Sequence, residues 1–156
     1  MDTMLVPERS RRERGGRAES TARARGGSSD RPRIVLVGPC AAGKSTLADA
    51  LQGRGYDAHG CAQEHSAVPH LWALSEPDLL IYLSVGLAAI RQRRADPSWP
   101  AFIYVEQQQR LAHALAHCDL YIDTAPRDPA GVLAVALVGI AAATGHGESM
   151  LVVEEH

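Results

Sequence analysis

Aromatic residues make up only 4% of this 156-residue chain, cysteines number three, and no apolar run is long enough to cross a bilayer. Each scarcity removes a class of protein. Cys40, Cys61 and Cys118 are isolated and odd in number, and none forms a Cys-x-x-Cys pair. No disulfide framework is expected, and a reducing, cytoplasmic setting fits. A zinc site is not expected either: the seven histidines are scattered, and His113 and His117 alone have the i, i+4 spacing of two ligands on one helix face. The N-terminus lacks the apolar core of a secretory signal, and Glu8, Glu13 and Glu19 argue against a transit peptide. The most apolar stretch, Gly131 to Thr144, is too short to span a membrane alone. No membrane partner is therefore expected. The guanine-recognition pattern Asn-Lys-x-Asp is missing, and so is the signature of transporter ATPases.

Charge is scarce overall but unevenly placed. The formal net charge is −2. Residues 1–33 hold nine arginines and five acids, about +4, and residues 34–156 hold seven basic and thirteen acidic groups, about −6. An acidic folded part argues against general nucleic-acid binding. The basic, Arg/Gly/Ser-rich segment 1–31 reads as a disordered tail, the one part with a charge suited to nucleic acid or another polyanion. The apolar content of 46% supports a single domain over 32–143, followed by a tail over 144–156.

Against this background one segment stands out. Gly38-Pro39-Cys40-Ala41-Ala42-Gly43-Lys44-Ser45 is a complete G-x-x-x-x-G-K-[ST] pattern. The β-branched run Ile34 to Val37 leads into it and a helix-compatible run, Ser45 to Gln52, leads out. Strand, glycine loop and helix together make a phosphate cradle. Glycines at 38 and 43 let the backbone turn and approach an anion, and successive N–H groups become donors. A helix starting at Lys44 adds its unpaired N–H groups and its positive dipole end. The pattern assigns Lys44 to the β- and γ-phosphates, the Ser45 hydroxyl to Mg²⁺ and Thr46 to the α-phosphate. Cys40 lies inside the cradle, either as a thiol that the helix terminus makes oxidisable or as a small residue that fits.

The remaining pattern alternates strands with helices. Strands are predicted at 33–37, 56–59, 79–83 and 120–123, with a further short one over 60–63. Helices are predicted at 44–52, 69–74, 87–94, 103–118 and 129–143. Met150 to Val153 is a candidate extra edge strand. Continuous apolar runs at 34–37 and 79–83 suit strands covered on both faces. The expectation is a three-layer α/β/α domain with about five parallel strands.

Downstream, Arg91, Arg93 and Arg94 cluster where a helix meets a loop containing Pro97 and Pro100. Phosphoryl transfer needs cations around the migrating group, and such a loop can close over phosphates as a lid. The chain resembles the small P-loop kinases: the nucleoside and nucleotide kinases, shikimate kinase and adenylylsulfate kinase. The resemblance spans about Arg33 to Ala143. It rests on the Gly38–Thr46 loop, the strand and arginine helix from Asp78 to Arg94, and the strand and turn from Asp119 to Pro126. Ala62-Gln63-Glu64-His65-Ser66 is similar to the acidic motif of deoxynucleoside kinases, with His65 where those have arginine.

The resemblance implies ATP and Mg²⁺ as cofactors, with ATP the default in the absence of a guanine motif, and a small-molecule acceptor of unknown identity. It implies catalytic roles for Lys44, Arg91, Arg94 and the carboxylate after the strand beside the loop. Glu64 is the matching carboxylate, as a base or with Ser45 at the metal, and Asp57 is the competitor. The turn Asp123 to Arg127 would pack on the adenine, with Arg127 in contact. Arg110 points into the cleft or makes a surface pair, and Trp72 either stacks on a planar acceptor or simply packs. The activity expected is a kinase. The alternative is a nucleotide-binding module that works through a protein partner.

Overall fold

The computed structural model describes residues 3–5 and 31–145. The strands are β1 (Thr3–Leu5), β2 (Arg33–Val37), β3 (Asp57–Gly60), β4 (Leu79–Ser84) and β5 (Leu120–Asp123). The helices are α1 (Lys44–Gly53), α2 (Leu87–Arg93), α3 (Ala101–His117) and α4 (Pro129–Thr144), with 3₁₀ turns at Gln63–His65 and Leu71–Ser75. The sheet order is β1-β5-β4-β2-β3. Four strands, β3, β2, β4 and β5, are parallel, and β1 pairs antiparallel with β5.

Strand alternation explains how helices come to cover both faces of the sheet. Ile34 and Leu36 of β2, with Leu79, Ile81, Leu83, Leu120 and Ile122, turn to one face and pack with Leu47 and Leu51 of α1 and Val132, Ala136 and Ile140 of α4. Val35 and Val37, with Leu80 and Tyr82, turn to the other face and meet Leu111, Ala114 and Trp72. The side chains of β2 and β4 from Ile34 to Val37 and from Leu79 to Leu83 are nearly all fully buried. At the N-terminal edge of the sheet two aspartates tie the strands together. Asp78 Oδ2 accepts from the Arg33 N–H at 2.7 Å, and Asp119 Oδ2 accepts from the Leu80 N–H at 2.8 Å. The C-terminal edge is left for the loops that build the site.

Five expectations are corrected. The sheet has four parallel strands and an antiparallel edge strand instead of about five parallel ones, because Thr3–Leu5 completes the free edge of β5. That same strand lies within the segment read as a disordered tail. The rest of that segment, and the strand expected at 150–153, fall outside the described residues. No separate strand forms over 60–63: Gly60 ends β3, the Cys61 N–H reaches the Leu36 carbonyl, and the chain then coils into the Gln63–His65 turn. Buried Gln63 drives this coiling, donating to the Val68 and Arg110 carbonyls and accepting from the Trp72 N–H. The helix expected at 69–74 is a 3₁₀ turn, and α3 starts two residues earlier than expected, directly behind Pro100. Among the described residues, no helix is long and apolar enough to cross a membrane.

Candidate functional site

The site lies where β2 ends and α1 begins. Gly38 must be glycine, because a Cβ there would run into the Leu83 carbonyl of the neighbouring strand. The loop then turns tightly, with the Ala42 N–H bonded to the Pro39 carbonyl. Ala41 and Gly43 both take left-handed backbone conformations, at φ 64° and 95°, a region that costs a residue with a Cβ more than it costs glycine. Gly43 caps α1 without a side-chain hydrogen bond, and the first intrahelical bond runs from the Leu47 N–H to the Gly43 carbonyl. The N–H groups of Lys44, Ser45 and Thr46 therefore lie ahead of the helix's own bonding, and a helix start of this kind attracts anions. Ser45 and Thr46 are exposed there.

Lys44 is the only lysine in the chain. Its ammonium donates to the Gly38 carbonyl at 2.7 Å, the Pro39 carbonyl at 3.2 Å and Glu64 Oε2 at 2.9 Å. The Lys44 and Glu64 side chains are 14% and 6% exposed, so the pair is shielded from solvent screening. Glu64 sits in the turn that follows β3, the strand beside β2, and this turn carries its carboxylate back over the cradle. Arg110 of α3 fixes that turn by donating to the Glu64 carbonyl at 3.3 Å, and its other nitrogen lies 3.8 Å from Glu106. It thus holds the backbone of the turn and pairs with a neighbour on its own helix. Asp57 is at the opposite end of the sheet: it is in register with Arg33 and engages His59 and Arg33. Of the two candidate carboxylates, Glu64 alone meets Lys44.

The three arginines divide. Arg93 reaches the cradle, donating to the Ala41 carbonyl at 2.7 Å and to Thr124 at both its Oγ1 and its carbonyl. Arg91 donates to the Trp99 carbonyl, and the Arg94 guanidinium lies 5.4 Å from the Trp99 ring centroid. Arg91 and Arg94, the two assigned catalytic roles from sequence, thus hold the Trp99 loop, and Arg93 is the arginine at the glycine loop. The reason is helical phase: successive side chains on α2 point about 100° apart, so three neighbouring arginines cannot share one face.

On the α4 side of the loop lies a cleft of about 310 Å³, bordered by Gly43, Thr46, Arg93, Thr124, Arg127 and Val132. Arg127 thus borders the same cleft as Gly43 and Thr46. Thr124 is buried and bonds the Ser84 carbonyl with its hydroxyl and its N–H, fixing the turn after β5 to the end of β4.

Two contributors were not picked out from sequence. Gln107 of α3 is 1% exposed; its Oε1 accepts the Cys40 N–H and its Nε2 donates to Cys40 Sγ, both at 3.0 Å. Its signal was a polar residue within the apolar helical stripe Ile103, Gln107, Leu111, Ala114. Buried Gln63 carried no comparable pattern. Trp72 packs: it is 2% exposed, donates from Nε1 to His113 Nδ1 at 3.1 Å and lies against the His117 ring. Burial pushes the Cys61 thiol up, which disfavours its thiolate. No protein-family model, curated protein or solved structure matches the chain.

Proposed function

We propose that the chain is a P-loop NTPase of the small-kinase type, which binds Mg·ATP on the Gly38–Thr46 loop and transfers the γ-phosphoryl group to a small-molecule hydroxyl or phosphate acceptor. One observation carries the reading: the glycine loop, the helix start and the shielded Lys44–Glu64 pair converge at the C-terminal edge of a parallel sheet. Such an edge, where loops meet a helix N-terminus, is where open α/β sheets hold phosphate ligands.

The roles follow from the donors. The α1 N–H groups and Lys44 receive phosphate oxygens, with Lys44 exchanging the Gly38 and Pro39 carbonyls for them. Ser45 and Glu64 fit a hard cation, since one is a hydroxyl at the helix start and the other offers a buried oxygen, Oε1, with no hydrogen-bond partner among the described residues. Magnesium, when bound, neutralises charge on the phosphates. Arg93, bridging the loop to Thr124, adds a cation on the side of the 310 Å³ cleft, where Arg127 and Thr124 would flank the base. Glu64 orients the metal's water or takes the acceptor's proton.

A second reading, a nucleotide-binding module acting through a protein partner, is favoured by the burial of Trp72. The segment that follows Glu64 is packed against His113 and His117, so that ring is not a wall for an acceptor. Acceptor-dependent ADP release separates the two. A pool of nucleosides, nucleotides and hydroxylated metabolites should raise ADP production from Mg·ATP, and Glu64→Gln should abolish the increase while ATP still binds. Tight binding without any pool-dependent turnover would replace the kinase with the module.

A further inference from the structure

The buried Glu64 carboxylate is only half satisfied. Oε2 accepts from Lys44, whereas Oε1 has no hydrogen-bond partner among the described residues. A buried acceptor of this kind carries a desolvation cost until a donor or cation meets it. Two soft ligand groups stand beside this carboxylate, with His65 Nε2 3.5 Å from Oε2. Cys40 Sγ, a ring nitrogen of His65 and a Glu64 oxygen all lie within 4.8 Å of one another.

We propose that Cys40, Glu64 and His65 form a binding site for a soft divalent cation, zinc by its ligand chemistry, at the mouth of the phosphate loop. A thiolate and an imidazole select zinc over magnesium, which prefers an all-oxygen shell. Three protein ligands leave a fourth position for water, the pattern of an open zinc site. Zinc bonds of about 2.0–2.3 Å place tetrahedral ligands roughly 3.3–3.8 Å apart, so the trio must contract by about 1 Å.

The residue free to make that movement is His65, whose side chain is 59% exposed. Cys40 is already oriented, because Gln107 Nε2 donates to its sulfur at 3.0 Å, an outer-shell bond of the kind that positions a ligand. Binding exchanges the Cys40 thiol proton, released to solvent, for the metal. The Lys44 charge opposes the cation, but its ammonium keeps the Gly38 and Pro39 carbonyls when Glu64 turns to the metal. Cys40 and Glu64 lie far apart in sequence and no Cys-x-x-Cys or paired-ligand motif announces them, which is why spacing alone pointed away from zinc. A metal here takes Glu64 away from magnesium, so zinc would lower Mg·ATP turnover. That consequence rests on the function proposed above, whereas the metal site itself does not.

The test uses the full chain without a histidine tag, titrated with Zn²⁺ alone against a chromophoric chelator and with Co²⁺ as a spectroscopic probe. Cys40→Ser, His65→Ala and the unmodified chain are compared, each checked for folding by circular dichroism. The expected result is a thiolate-to-cobalt charge-transfer band that saturates at one equivalent and vanishes in Cys40→Ser. Zinc affinity should fall by at least about tenfold in His65→Ala. His65 is exposed, so its replacement preserves the fold and a loss there reports ligation. A cobalt spectrum without the thiolate band, or unchanged zinc affinity in His65→Ala, would overturn the proposal.

Discussion

Gln107 grips Cys40 at both of its polar groups, accepting the backbone N–H and donating to the sulfur, each at 3.0 Å. This couples the long helix α3 to the third position of the glycine loop. Gln107→Leu preserves helix propensity and bulk but leaves the Cys40 N–H without its acceptor. An unsatisfied buried group costs about 1–3 kcal/mol. Denaturant melts should show a loss of that size, and calorimetry should show weaker ATP binding because the loop loses its fixed shape.

Lys44 and Glu64 form a shielded ion pair, so their energetics should be strongly non-additive. Glu64→Leu leaves the ammonium with carbonyl partners only and should destabilise the fold by about 3 kcal/mol, the low end for breaking a buried pair. Lys44→Met strands the carboxylate and should cost at least as much. The double variant should recover much of that loss, because no uncompensated charge remains. Urea melts of the four proteins complete the cycle, and additive losses would contradict the pairing.

The arginines of α2 should separate by function. Arg93→Ala removes the contacts with Ala41 and Thr124 and should weaken nucleotide binding by about tenfold, the scale of one charge-assisted hydrogen bond. Arg91→Ala and Arg94→Ala loosen the Trp99 loop and should leave nucleotide affinity within about twofold. Equilibrium binding of a fluorescent nucleotide distinguishes them. A larger effect from Arg94 than from Arg93 would restore the sequence-based assignment.

His113 gives the protein a pH dependence of a definite sign. Desolvation, then the neighbouring His117 and His70, hold its imidazole below its ordinary value of 6.5. As pH falls, the unfolded chain takes up this proton before the folded one does. Its contribution to stability is therefore complete above about pH 6.5 and declines as pH drops through the folded value. Protonation also opposes the Trp72 bond, since Nδ1 can no longer accept. Urea melts between pH 7.5 and 5.5 should show stability falling with pH, and His113→Gln, which keeps an acceptor, should flatten that fall.

Much of this arrangement was legible in the sequence because the signals were local. The β2–loop–α1 unit is encoded in consecutive residues from Arg33 to Gly53, each satisfying one steric or bonding demand. The strands at 79–84 and 120–123 were equally plain as short apolar runs between helices. Glu64 could be placed because it follows the strand beside the loop. What sequence could not supply was angular position and long-range contact. Consecutive arginines look equivalent in a string, yet only Arg93 faces the loop. Gln107 meets Cys40 across 67 positions, and Cys40 comes within 4.8 Å of His65 only once the chain has folded. The antiparallel strand at Thr3–Leu5 escaped notice because three residues beside an arginine-rich segment carry no periodicity.

The most direct test of the central claim is calorimetric titration of Mg·ATP into the unmodified chain and into Lys44→Ala. A phosphate loop in this position predicts saturable one-to-one binding that weakens by at least about a hundredfold in the variant, the loss expected when a charge-assisted contact worth about 3 kcal/mol is removed. No saturable binding of either ATP or ADP, or equal affinity in both proteins, would contradict it.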